Sequence, residues 1–167
     1  MPFSSKFQAQ FIGGVLPQLR ALLVANLDEA AQAIDGDARA VVAFDTPIPL
    51  TTVFPSVYVS PVASALDQSA DDQYIGQDHT FFIDVALDGR TPDAATDALL
   101  LYMRAVDQVL RSATDAELFP YADAAEHRLR SRLAWEVTEH RFDILRTDGT
   151  QYRRDGRLTF RIQLIER

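Results

Sequence analysis

The sequence predicts an α+β fold: one antiparallel or mixed sheet of about four to six strands, with two main helices packed on one side. Three observations predict it. Two long stretches repeat apolar residues every three or four positions, as helices do. Several shorter stretches alternate apolar and polar residues, as half-buried strands do. Their order is helix, strands, helix, strands, without the strict βαβα alternation of a parallel sheet.

The first helix is marked by Ile12, Val15, Leu16, Leu19, Leu22, Leu23, Leu27, Ala30, Ala31 and Ile34, which form one apolar stripe. Pro17 lacks a backbone donor, so the regular helix is expected to begin near it, after an irregular lead-in through Gly13 and Gly14. Gly36, within Asp35-Gly36-Asp37, supplies a C-terminal stop. Residues 39–44 then alternate, with Ala40, Val42 and Phe44 on one face of an expected strand. Pro47 and Pro49 exclude a central strand and leave a loop or an edge.

Val57-Tyr58-Val59 is a short strand candidate between Pro55 and Pro61. The polar stretch 60–77 reads either as a long hairpin loop or as two ragged strand extensions. Residues 79–88 alternate strongly: Phe81, Ile83, Val85 and Leu87 share one face, with Thr80, Phe82, Asp84, Ala86 and Asp88 on the other. Phe82 is an apolar misfit there, which implies that something covers it.

Thr91-Pro92 opens the second helix as N-cap and first helical residue. Its stripe comprises Ala95, Ala98, Leu99, Tyr102, Ala105, Val106, Val109 and Leu110, with Asp93 and Asp97 near the positive end and Arg111 near the negative end. After a stretch around Phe119-Pro120, Leu133, Trp135 and Val137 resume strand alternation, and Phe142, Ile144 and Leu145 continue it less regularly. The closing strand alternates Leu158, Phe160, Ile162 and Leu164 with Thr159, Arg161, Gln163 and Ile165. No repeat, low-complexity tract or linker interrupts residues 1–167, which read as one domain.

Composition narrows the function. With 16 basic against 24 acidic residues the net charge is −8, the wrong sign for a protein that holds nucleic acid through its phosphates or an anionic membrane surface. The absence of cysteine removes disulfides, thiolate metal sites and cysteine nucleophiles together. The first residues lack the apolar run of a signal peptide, and no stretch approaches the ~20 apolar residues of a membrane span.

No catalytic constellation emerges. His79, His127 and His140 are scattered, outside any HExxH or HxH pattern, and fit surface or strand-edge positions. Gly13-Gly14 has neither the preceding strand nor the GxxxxGK[ST] of a phosphate loop. Asp67, Asp71 and Asp72 lack the spacing of a calcium loop and read as a solvated acidic loop. Arg128, Arg130 and Arg132 recur every second residue, a positive stripe if they lie on a strand. Arg153, Arg154, Arg157 and Arg161 follow, and most of the positive charge lies in the last 40 residues. No aromatic residues interleave with them as a nucleic-acid platform requires. A basic sheet face meeting an acidic face of a neighbouring copy is one reading; solvated charge is the other.

Three segments, taken together, resemble a known group. They are Phe54-Pro55-Ser56-Val57-Tyr58-Val59 leading to Tyr74-Ile75-Gly76-Gln77-Asp78-His79-Thr80-Phe81-Phe82-Ile83-Asp84-Val85, a helix through Leu99-Leu100-Leu101-Tyr102-Met103-Arg104-Ala105-Val106-Asp107-Gln108-Val109-Leu110, and the ending Gly156-Arg157-Leu158-Thr159-Phe160-Arg161-Ile162. They resemble the tail terminator and tail-completion (head–tail joining) proteins of long-tailed bacteriophages and prophages, along nearly the whole chain. Residues 113–131 match no element of that group.

The resemblance implies a structural virion protein without cofactor or catalysis, assembled in the host cytoplasm and located in the virion tail. It implies a ring of copies, commonly a hexamer, that caps the tail tube, contacts the tube and head-completion proteins, and lets DNA pass through its centre. An acidic loop at Asp67, Asp71 and Asp72 would then face the lumen and repel phosphates. Phe54, Tyr58, Phe82 and Tyr152, with Arg128, Arg130, Arg132, Arg153, Arg154, Arg157 and Arg161, are the expected subunit interface, because aromatics and arginine dominate interface energetics. Two alternatives stay open: another minor tail or head-closure protein, and a small-molecule-binding domain or enzyme.

Overall fold

The computed structural model describes residues 12–67, 75–114, 130–147 and 149–166. In chain order these form α1 (Ile12–Ile34), a 3-10 turn (Ile48–Leu50), β1 (Ser56–Asp67), β2 (Ile75–Gly89), α2 (Pro92–Ser112), β3 (Arg130–Phe142), β4 (Arg146–Thr147) and β5 (Tyr152–Glu166). The strands make one antiparallel sheet ordered β1-β2-β5-β3, with the short β4 also pairing β5. Both helices lie on one face, α1 over β1 and against α2, and α2 over β2 and β5.

One apolar core joins these layers. Val15, Leu19, Leu23 and Leu27 of α1 and Leu99, Val106 and Leu110 of α2 close over Phe81, Ile83 and Val85 of β2 and Leu158, Phe160 and Ile162 of β5. Burial outweighs local propensity in α1, which starts at Ile12 rather than near Pro17. The proline deletes one intrahelical donor, but the stripe from Val15 to Ala31 is buried on both sides of it. Gly13 and Gly14 are already helical. Gly36 follows the end of α1 without a left-handed conformation; Gly149, in the turn before β5, is the one glycine with positive φ among the described residues, at 95°. Asp35 closes the helix instead, its carboxylate accepting from the Asp37 amide and its carbonyl from the Ala38 amide.

The expected strand at 39–44 does not form. Its steps run by three rather than two, so Ala38, Val41 and Phe44 pack on the core while Val42 points outward. The Val41 amide bonds to the Asp28 carboxylate, and the segment meets the sheet through an isolated parallel bridge, Ala43 to Ser56, and through Arg39, whose guanidinium pairs with Asp88 of β2. The described parts of stretch 60–77 follow the strand-extension alternative, with β1 and β2 paired out to Asp67 and Gly76, and residues 68–74 lie outside the described residues. Pro61 is tolerated because β1 is an edge strand and the register shifts by a bulge just after it.

The second helix follows its sequence signals closely. The Thr91 hydroxyl accepts from the Ala94 amide, Pro92 is the first helical residue, and Asp93 and Arg111 lie in the first and last turns. Two glycines let it sit tight on the sheet. A Cβ on Gly89 would stand 2.5 Å from the Ala95 nitrogen, and one on Gly156 2.7 Å from the Met103 sulfur.

Candidate assembly interface

The outer face of the sheet, away from the helices, carries Arg153, Arg157 and Arg161, and they are engaged within the chain. Arg157 sits opposite Asp84 in register and grips it with two bonds, Nε to Oδ1 at 2.6 Å and Nη2 to Oδ2 at 3.0 Å. That grip raises the Arg157 pKa further above its ordinary value. Its guanidinium lies 4.0 Å from the ring centre of Phe82, so this arginine covers the apolar misfit of β2. Arg161 reaches diagonally to Asp78, with Nε at 3.0 Å from both carboxylate oxygens, and Glu136 of β3 lies 3.8 Å away on its other side. The hydrogen bond from Arg161 holds the Asp78 carboxyl below its ordinary pKa, against a smaller opposing effect of burial.

Arg153 is a clamp. It binds Asp155 through Nε at 2.8 Å and Nη2 at 2.9 Å, and donates to the carbonyls of Ile48 (2.7 Å) and Thr51 (3.2 Å). Its guanidinium is also 5.2 Å from the centre of the Phe54 ring. The loop that the two prolines keep out of the sheet is thereby fastened to β5. Arg154 has the opposite strand parity and points toward the helices, where it donates to the Thr96 hydroxyl at 3.2 Å. The late arginines therefore do not form one open positive face.

The remaining expected interface residues fall in several places. Phe54, Tyr58, Phe82 and Tyr152 are half-buried rather than fully exposed. Tyr58 stands on edge strand β1 with the Arg20 guanidinium 5.5 Å from its ring centre, and Arg20 also donates to the Val59 carbonyl. Tyr152 and Phe54 line a cleft of about 250 Å³ with Arg146, Asp88 and Arg153. Arg130 and Arg132 take backbone positions opposite Glu166 and Leu164, the strand parity of Ile162 and not of Arg157 or Arg161. Asp67 is the last residue of β1, across from Gly76. Arg128, Asp71, Asp72 and His127 lie outside the described residues, as does most of the unmatched 113–131 stretch.

His79 differs from its expected place. It is only 1% exposed, on the core face of β2, with its ring centre 6.4 Å from that of Phe81. Its alternation with Phe81 and Ile83 was the available signal, and residue type alone points the other way. His140 is exposed on β3. Among the described residues no three His, Asp or Glu side chains converge as a metal site, and no helix is long and apolar enough to cross a membrane.

Sequence reasoning overlooked the exposed aliphatic residues. Ile144 is 84% exposed and Leu50 73%, joined by Val42, Val53 and Phe142 near the same end of the sheet. Ile144 is thrust out by an edge irregularity. Between the pairs Phe142–Gly156 and Arg146–Arg153 the outer chain holds three residues and β5 holds two. Val24 of α1 and Val62 of β1 are exposed on the opposite edge.

No protein family matches the chain, and no curated protein matches it in sequence. Among solved structures, a chain from the virion of a native gene transfer agent particle is similar with a TM-score of 0.39 and 19% identity, over 89% of this chain and 98% of that one.

Proposed function

We propose that the chain is a structural subunit of a phage-type tail, forming a ring that caps the tail tube and joins it to the head while DNA passes through the central channel. On this reading it is not an enzyme, and its partners are further copies of itself, the tube protein and the head-completion protein.

The observation that carries the proposal is the structural role of the shared sequence segments. The Gly156 to Ile162 ending is the interior strand β5: Gly156 admits α2, Arg157 locks β2, and Phe160 and Ile162 fill the core. Of the other quoted segments, residues 56–59 fall on β1, 75–85 on β2 and 99–110 on α2. The resemblance thus rests on the residues that build this fold, in the order of helix, hairpin, helix and returning strands.

The test is assembly. The purified chain, alone and with assembled phage tail tubes, would be followed by light scattering and negative-stain microscopy. Rings, or gold-labelled chain confined to one end of each tube, are expected. A chain that remains monomeric and leaves tube ends unlabelled would defeat the proposal.

A further inference from the structure

A closed ring needs two different patches on each copy, placed so that one meets the other on the next copy. The sheet order puts α1 and β1 at one edge of the domain and β3 and β4 at the other. Each edge carries exposed apolar side chains. On the first, Ala21, Val24 and Ala25 form an outward stripe of α1, with the exposed carboxylate of Glu29 one turn on. On the second, Phe142 and Ile144 project from the irregularity between β3 and β4, beside exposed Arg146, which has no ion pair among the described residues. The neighbouring Arg141 is already committed to Asp143 at 3.7 Å.

These patches complement each other in both respects. One is a small-residue face with an acidic end; the other is a protruding aliphatic corner with a basic end. A copy with a net charge of −8 repels its neighbours at long range, so a lasting contact requires apolar burial with a cation opposite an anion. Among the described residues the charge left without an ion pair is acidic on the first patch, Glu29, and basic on the second, Arg146, so neither patch complements itself.

We infer that the ring seam forms by seating the 142–146 corner of one copy on the exposed α1 face of the next, Ile144 against Val24 and Ala25 and Arg146 facing Glu29. This inference rests on the ring reading and adds the surfaces that close it.

The absence of native cysteine allows a direct test. The full-length double variant Val24→Cys/Ile144→Cys, treated with a short bis-maleimide, should give a ladder of covalent oligomers on a denaturing gel. Each single variant should stay one chain long. Light scattering on the same samples reports assembly separately. A ladder from the double variant alone supports the seam. Dimers from Ile144→Cys alone indicate a two-fold contact and overturn it. Oligomers in solution without a ladder place the seam elsewhere, which overturns the inference and leaves the ring standing. A monomer in solution without a ladder overturns the seam, and with tube ends also left unlabelled it removes the ring as well. In the otherwise native chain, Ile144→Asp should weaken assembly at least about tenfold while the far-ultraviolet circular dichroism stays unchanged; undiminished assembly would also overturn the seam.

Discussion

Arginine is the residue on which sequence and structure diverge most, and the divergence is measurable. Arg153 and Arg161 look equivalent along the chain, both on β5 and both facing away from the helices. Arg153 holds Asp155, which is only 7% exposed, and two loop carbonyls besides. Removing it leaves a buried carboxylate without its cation, which typically costs about 3 kcal/mol or more. Arg153→Met should therefore lower the urea midpoint clearly, whereas Arg161→Met, at a solvated pair, should leave it almost unchanged. Equal losses in the two variants would contradict the clamp. The solvated pair has a different signature. Because Arg161 holds the Asp78 carboxyl below its ordinary value of 3.8, the folded chain binds fewer protons there than the unfolded chain. The stabilisation is in place above that ordinary value and is lost as pH falls through the lower folded value. Asp78→Asn should accordingly flatten the acid limb of a stability–pH curve below about pH 4 and leave its slope at neutral pH unaltered.

At the scale of elements, patterns that depend on one face were readable and those that depend on a partner were not. The Thr91-Pro92 cap, the α2 stripe and the inward face of β2 each follow from local chemistry, and the structure repeats them, with Met103 joining the buried stripe and Ala98 only half-buried. The 39–44 segment misled because four or five apolar and polar residues fit a period of two or three equally well. What decided it was the carboxylate of Asp28, taking the Val41 amide. Pro17 misled for a related reason: the burial that sustains α1 around it comes from other elements. The glycines sharpen this distinction. Gly89→Ala forces a Cβ against the backbone at the start of α2 and should destabilise by about 2 kcal/mol. Gly36→Ala meets nothing within 4 Å and has no left-handed φ to strain. It should stabilise by roughly 0.4–1 kcal/mol through the unfolded chain. Chemical denaturation of the two variants would show opposite signs; the same sign in both would mean that helix–sheet contact at Gly89 is looser than the backbone distances indicate.

The whole molecule joins a legible fold to a surface that was legible only in its net charge. Two amphipathic helices over an antiparallel or mixed sheet were implied by periodicity and element order. The candidate interface was not, because exposure of Ile144 depends on an edge irregularity and a strand order that no local window contains. Charge illustrates the difference best. Counted along the chain, seven late arginines suggest a basic face; folded, Arg153, Arg157 and Arg161 face carboxylates of the same chain and Arg154 turns inward. The net charge of −8 is thus not offset by a concentrated positive surface on β5. Duplex DNA gains affinity mainly when a protein's cations displace its counterions, and cations already paired release few. The full-length chain should therefore show no saturable binding to a labelled duplex by fluorescence anisotropy, even at low salt and up to about 100 µM, the weak end of ordinary non-specific affinity. Such indifference suits a channel through which DNA must slide. Saturable, salt-sensitive binding would mean that a concentrated basic surface exists after all and would count against the proposed DNA channel.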